Sequence, residues 1–422
     1  MTDQYYYIGP IAQLLSMSNL PEKGAIKDEE LKPLIKQGIL FKNDKIEAIG
    51  DHEIILKKAK SVNATIQNLT EDFIALPGFI DSHTHICFAG SRAGDYAMRN
   101  SGKSYLEIAK NGGGIWDTVT QTRKFTQQEL VELIVKRANI LTAKGITTIE
   151  VKSGYGLTID EELKMLRAIK EAQRSTYADL IPTCLAAHII PREYKDNAEG
   201  YLKKMSAELF PIIKEENLTN RIDAFIEEGA FSSQIIRPYL KKAQEMGFDI
   251  TIHADQFHTG GSQVAVQFNA VSADHLEAST EKEIRILAES NTVATALPGA
   301  TLGLGCAFTP ARQLLDNGAT LAIASDWNPG SAPMGDLLTQ AAILGTFEKL
   351  SNAEIISGIT NRAAKALNIN DIGILKKGTM ADVILFKTDH YNEILYKQGK
   401  LVPAQVFKNG KLVIENETTN DF

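Results

Sequence analysis

The chain reads as an α/β protein, a (β/α)8 TIM-type barrel carrying a small composite β-sandwich domain formed by the N- and C-terminal segments. Three observations predict this. Strand-like and helix-like segments alternate between residues 73 and 330, eight strand-like segments fall in that span, and strand–turn–strand patterns occupy both ends. A chain of 422 residues can bury a barrel core and still build an appendage.

The eight barrel strands are expected at 73–83, 145–152, 179–188, 221–227, 248–253, 270–275, 292–297 and 320–326. Apolar runs of this length suit strands buried on both faces of a parallel sheet. Helices are expected at 128–144, 160–173, 200–215, 233–246 and 281–289. Gln127-Gln128-Glu129 opens the first helix and Lys144-Gly145 closes it, the asymmetry that helix ends favour. A doubly wound open sheet would show the same alternation, but no Gly-x-Gly-x-x-Gly follows the first strand. Near the ends, 38–50 holds two strands around Asn43-Asp44. Segments 381–387 and 406–415 repeat that style, the latter around Asn409-Gly410. The composite β domain is therefore expected over 1–72 plus 377–422, and the barrel over 73–376.

Lys and Arg number 45 against 52 Asp and Glu, a net charge of −7 without a basic cluster, so nucleic acid is not an expected partner. The longest apolar stretches are strand-sized and interrupted by polar residues, so no membrane span is expected. Cys87, Cys184 and Cys306 are odd in number and far apart. That argues against a disulfide framework or a cysteine zinc site and for a reducing compartment. The opening residues Met1-Thr2-Asp3-Gln4 lack the regions of a secretory signal, and a cytoplasmic location is expected.

The sharpest chemical feature is His83-Thr84-His85, at the end of the first strand. Side chains alternate faces with period two, so both imidazoles point to one side and can reach one ion. Such a pair alone is weak evidence, because two surface histidines are as common. The other strand ends add to it. Strand two runs into Lys152-Ser153-Gly154-Tyr155, strand three ends at His188, and strand five ends at His253, followed by Asp255-Gln256. Strand six ends at Asp274-His275 and strand eight at Asp326-Trp327-Asn328. Barrel active sites lie at this C-terminal rim. Five histidines and a carboxylate there would be costly to bury unless coordinated or paired, which points to a metal and proton-transfer site. Three imidazoles and one carboxylate suit a divalent metal with a position left for water, whose pKa it lowers toward about 7. A further histidine or carboxylate must then carry protons.

With these residues placed, the sequence resembles the amidohydrolase superfamily through Pro77-Gly78-Phe79-Ile80-Asp81-Ser82-His83-Thr84-His85, His253, His275 and Ala324-Ser325-Asp326. It is most similar to the imidazolonepropionase family of histidine degradation. That narrower likeness rests on Ala89-Gly90-Ser91-Arg92, Asn111-Gly112-Gly113-Gly114-Ile115, Glu150-Val151-Lys152-Ser153-Gly154-Tyr155-Gly156-Leu157 and Ala187-His188-Ile189-Ile190-Pro191-Arg192-Glu193-Tyr194. It also rests on Ser272-Ala273-Asp274-His275 and Ser325-Asp326-Trp327-Asn328-Pro329-Gly330-Ser331.

The resemblance implies His83, His85, His253 and Asp326 as ligands of one divalent or trivalent metal ion, zinc or iron. It implies Arg92 as the grip on a substrate carboxylate, for which a forked guanidinium suits better than lysine. Tyr155, His188, Gln256, Asn328, Gly330 and Ser331 would line the substrate pocket. His275 and Asp326 would move protons, and His188 would stand by the developing oxyanion. The implied reaction is hydrolysis of 4-imidazolone-5-propanoate to N-formimidoyl-L-glutamate, and the implied partners are that small carboxylate-bearing molecule and a second copy of the chain in a homodimer. Gln256 departs from members with Glu there, and an amide cannot act as acid or base. An aminohydrolase acting on a nucleobase-like ring is the alternative, opposed by Gln256 and Arg92. A barrel scaffold without catalysis is a third reading, opposed by the complete ligand set.

Other residues take blander readings. Lys152 is expected to be solvated or ion-paired rather than carbamylated between two metals. His258 is expected in a loop, His52 and His390 on the surface, and Cys87 as a small buried side chain. Asp255 and Asp274 either orient neighbouring histidines or cap helices. Gly112-Gly113-Gly114 lacks the Lys-Ser/Thr of a phosphate loop and reads as a backbone turn over the pocket.

Overall fold

The computed structural model describes residues 3–103, 107 and 113–416. Asn111 and Gly112, from the glycine run, lie outside the described residues. The described chain forms two sheets. The terminal sheet contains β1 (Tyr5–Leu14), β2 (Leu34–Lys42), β3 (Lys45–Asp51), β4 (Thr65–Asn68) and β5 (Phe73–Pro77), with β14 (Val383–Lys387), β15 (Gln405–Lys408) and β16 (Lys411–Glu415) from the far end. The other sheet runs β6 (Phe79–Asp81), β7 (Ile146–Lys152), β8 (Asp179–Ala187), β9 (Arg221–Ile226), β10 (Asp249–Ala254), β11 (Ser272–His275), β12 (Val293–Ala296) and β13 (Leu321–Ile323).

β6 to β13 pair in chain order and in parallel. The barrel closes just past its first and last strands. Thr84 and Trp327 form a parallel bridge, Asp326 N–H donates to His83 C=O at 3.0 Å, and His85 N–H donates to Trp327 C=O at 3.0 Å. Every residue of β7 is buried, as strands covered by helices outside and packed side chains inside require. The (β/α)8 barrel expected from the alternation is therefore the observed architecture.

The terminal sheet runs β16-β15-β14-β5-β1-β2-β3, with β4 against β1. It folds over on itself. Phe407 of β15 packs 5.8 Å from the rings of Tyr6 on β1 and Phe41 on β2, although β14 and β5 lie between them in the sheet. Ile8, Ile39, Leu385 and Phe407 share this core, so the two wings face each other as sandwich layers do. The Asn409-Gly410 turn has φ of 52° and 73°, the paired left-handed geometry of a tight hairpin.

One correction concerns 73–83, expected as a single strand. β5 lies between β1 and β14 in the terminal sheet, and β6 starts the barrel. Gly78 separates them because nothing larger fits: a Cβ there would stand 2.1 Å from Thr147 Oγ1. The expected helix at 233–246 starts later, at Arg237, where Pro238 sits in the first turn. The expected helix at 200–215 is Ala198–Lys204 and Phe210–Glu215 joined by a π-helical Met205–Leu209. Helices Gly261–Gln267, Pro298–Leu304, Ala311–Asp316, Leu337–Glu348, Asn352–Gly358 and Asn361–Ala366 were not expected. Most are under two turns long, and Leu337–Glu348 is apolar nearly all round, so the amphipathic period is missing. His52 also departs from expectation: it is partly buried and hydrogen-bonds the Tyr7 hydroxyl through Nδ1. Among the described residues, no helix is long and apolar enough to cross a membrane.

Candidate active site

Asp81 ends β6 and is fully buried. Its carboxylate accepts Ser325 N–H at 2.9 Å and the Ser325 hydroxyl at 2.5 Å. Burial, opposed by these bonds, pushes its pKa up to about 7. The link ties the end of β6 to the end of β13, bringing His83 and His85 against Asp326. Thr84 turns the other way and donates to Glu150 C=O at 2.6 Å, as period two demands.

The donor atoms of His83, His85 and His253 all lie within 4.8 Å of one another. His85 Nε2 is 3.3 Å from His253 Nε2. Asp326 Oδ1 is 3.5 Å from His85 Nε2 and 3.6 Å from His83 Nε2. Four ligands at about 2.1 Å from one tetrahedral ion would stand roughly 3.4 Å apart, so this spacing fits a single divalent metal. A carboxylate stands behind the outer nitrogen of each of two rings. Asp274 Oδ2 accepts from His83 Nδ1 at 2.7 Å, and Asp223 Oδ2 stands 2.9 Å from His253 Nδ1, which leaves both Nε2 atoms for coordination. His83 Nε2 is buried with no hydrogen-bond partner in the protein, the state of a ligand atom rather than of a satisfied core histidine. Burial holds the pKa values of His83 and His85 well below the usual range, aided by Lys152 at His83 and by the neighbouring imidazoles at both. All of this keeps the rings neutral and able to coordinate.

Lys152 is fully buried beneath this cluster, with Nζ 2.7 Å from Glu150 Oε1, 2.8 Å from Asp223 Oδ2 and 3.9 Å from Asp274 Oδ2. Burial opposes its charge, but Asp223 and Glu150 outweigh burial and raise its pKa. The same histidine and lysine hold the Asp223 carboxyl well below the carboxylate range against its burial. Lys152 is therefore the ion-paired lysine of the bland reading. Asp274 orients His83, whereas Asp255 accepts the N–H groups of Gly260, Gly261 and Ser262 and serves the turn beyond β10. His258 is exposed and pairs with Glu227 at 2.6 Å, and Cys87 is buried, its pKa raised by burial to about 12. His390 is exposed.

Two rim residues differ in protonation. His275 Nδ1 lies 3.4 Å from Glu277 Oε1; burial works against its charge, yet Glu277 and Asp326 raise its pKa. Burial likewise raises the Asp326 carboxyl, against the pull of His275 and His253. Both residues hold left-handed backbone, φ 86° at His275 and 52° at Asp326, strain that a non-glycine residue keeps only where its surroundings enforce it. His188 is the opposite case: burial, with His253, lowers its pKa to about 3. Its Nδ1 faces Gly154 C=O at 2.9 Å and must donate, so Nε2 carries the lone pair. A neutral His188 in this tautomer accepts a hydrogen bond at Nε2 and has no proton there to give.

Asn328 organises the loop after β13. Its Oδ1 accepts Gly330 N–H and Ser331 N–H, each at 2.8 Å, while Nδ2 donates to Asp326 C=O at 2.8 Å. Gly330 leaves room for Arg92: a Cβ there would lie 2.3 Å from Arg92 Nη1. Arg92 Nε donates to Asp95 Oδ2 at 2.7 Å, which aims the guanidinium, and Arg99 donates to Gly330 C=O at 3.2 Å. A cavity of about 580 Å³ opens here, lined by His85, Arg92, Tyr155, His188, His253, Gln256, His275, Asp326, Asn328, Gly330 and Ser331. Of the expected site residues only His83 is absent from that lining, because it lies beneath as a fully buried ligand. Sequence reasoning missed Asp223, Glu150, Glu162 and Glu277. Asp223 and Glu150 carried a legible signal, one acid in each strand with an apolar residue on either side.

The comparisons with known proteins agree with this geometry. Residues 74–413 match the amidohydrolase family. Curated relatives include an imidazolonepropionase of Alkaliphilus oremlandii, 38% identical over 97% of this chain and 98% of the relative. Another, from Bacillus cytotoxicus, is 38% identical over 95% of both. Among solved structures, a zinc-complexed atrazine chlorohydrolase from Arthrobacter aurescens superposes with a TM-score of 0.71 at 18% identity over 99% of this chain and 97% of that one. The ochratoxinase of A. niger gives 0.71 at 14% identity with the same coverage; both show a shared fold. The chain belongs to the amidohydrolase family, and within it to the imidazolonepropionases.

Proposed function

We propose that this hydrolase of C–N bonds opens the ring of 4-imidazolone-5-propanoate to N-formimidoyl-L-glutamate. The observation that carries the reading is one cavity lined by His85, His253, Asp326 and Arg92, with His83 of the same cluster directly beneath. A carboxylate-bearing ring held by Arg92 would present its amide to that cluster. His83, His85, His253 and Asp326 would hold the metal, zinc or iron, since an N3O donor set takes either. When bound, the ion polarises the ring carbonyl and acidifies water.

The chain's own residues do the rest. Arg92, fixed by Asp95, takes the propionate as a bidentate partner. His188 Nε2 accepts a ring N–H, and the Gln256 amide pairs with the ring edge without exchanging protons. The Asp326 carboxyl and the His275 imidazole take a proton from the attacking water and return one to the departing ring nitrogen, as the new C–O bond forms and the C–N bond breaks. Against its burial His275 is shifted up, chiefly by Glu277, whereas burial shifts His188 down, which separates a group that carries protons from one that only accepts a bond.

Freshly generated imidazolonepropionate, followed by ultraviolet absorbance with and without a chelator, tests the proposal. Turnover that stops on chelation and returns with added metal is the expected result. Inertness of the metal-loaded protein toward this compound would overturn it.

A further inference from the structure

Glu162 has no part in the chemistry above, yet it is fully buried behind the cavity wall. It stands in the first turn of the helix Ile159–Ala172 and turns back onto the loop before it. Its carboxylate accepts Gly154 N–H at 3.1 Å and Gly156 N–H and Leu157 N–H at 2.8 Å each. The donors converge because the loop takes a left-handed path, φ 106° at Gly154 and 57° at Leu157. Capping does not explain this residue, because Thr158 already accepts Glu161 N–H and serves the helix end. Arg123 Nε grips the same loop from the other side, donating to Gly156 C=O at 2.7 Å.

The Gly154 residue is shared between two buried partners. Its N–H goes to Glu162 and its C=O receives His188 Nδ1 at 2.9 Å. Tyr155 follows directly, its ring 5.4 Å from that of His188 and 5.9 Å from that of His85. We propose that Glu162 is a positioning residue that fixes the tautomer and orientation of His188 through the backbone of Gly154. Its part in catalysis rests on the reading above, in which His188 meets the substrate; its structural part does not.

Glu162→Gln places an amide donor among N–H groups that need an acceptor, and misplacement at a substrate contact costs on the order of 100-fold. The expected result is a fall of about that size in kcat/KM with one metal equivalent per chain retained. Because Glu162 acts through His188, Glu162→Gln with His188→Ala should be no slower than His188→Ala alone. Losses that multiply, or wild-type kinetics in Glu162→Gln, overturn the proposal. Should Glu162→Gln not fold, 15N NMR of histidine-labelled wild-type protein decides, with His188→Gln identifying the signal. His188 protonated at Nδ1 is expected, and Nε2 protonation overturns the proposal. Wild-type protein that shows this tautomer but does not hydrolyse imidazolonepropionate would sink the functional reading and leave the positioning role standing.

Discussion

Each residue of the centre is defined by what its second atom touches. Asp326 brings one oxygen to two imidazoles, and no other carboxylate among the described residues takes that place. Asp326→Ala should therefore lose the metal and nearly all turnover; plasma emission analysis and the absorbance assay check both, and full metal occupancy would remove it from the ligand set. Arg92→Ala should raise KM, lowering kcat/KM by about 2–4 kcal/mol if the ion pair is desolvated. An unchanged KM would assign the carboxylate to another group. The exposed His258 gives a pH test. Its hydrogen bond to Glu227 raises the folded-state pKa, so the folded protein holds a proton that the unfolded chain releases near the ordinary value of about 6.5. The stabilisation is complete below that value and is lost as pH rises through the raised one. His258→Ala should lower the urea midpoint at about pH 5.5 and leave it unchanged at about pH 9. The rim histidines were legible in sequence because polar rings at apolar strand ends demand an explanation. The partners that set their tautomers were not: Gly154 C=O is a backbone atom, and Asp223 meets His253 only across the β9–β10 pairing.

At the scale of elements, the long pieces were readable and the short ones were not. The helix Gln127–Ala143 carries a Thr126–Glu129 capping box and buries one face, so period and cap agree. Five- to seven-residue helices such as Ala311–Asp316 have too few turns to establish a period. The break at Gly78 was hidden because the residues on both sides are apolar and buried; only the approach of Thr147 reveals it. Gly78→Ala should destabilise by about 1–3 kcal/mol in urea unfolding, as overpacking does. Removing Thr147 Oγ1 and Cγ2 in a Thr147→Ala background should recover part of that loss. Equal costs in both backgrounds would locate the strain elsewhere.

For the whole molecule, fold class was the most legible level, because eight alternating segments leave few architectures open. The curled terminal sheet was less so, since its register joins strands more than 300 residues apart in sequence, as in the pairing of Pro77 with Val383. The barrel interior gathers Glu150, Asp223 and Asp274 around Lys152 and sets Asp326 against His83 and His85, all buried. A divalent ion stabilises such an arrangement both by charge and by binding only the folded state. Chelation should lower the melting temperature by several degrees and added metal should restore it; a melting point indifferent to chelator would mean that the carboxylates are neutralised without an ion.

β5 ties this to the order in which the chain is made. It leads through one glycine into the strand that presents His83 and His85, and one of its two neighbours, β14, lies more than 300 residues further along the chain. β13 and the loop bearing Asp326 also come late. On a translating ribosome, then, His83 and His85 emerge beside an open sheet edge well before His253 and Asp326 can join them. A four-ligand site can form only once residue 326 has been made, and a nascent chain arrested before it should hold no ion at this site.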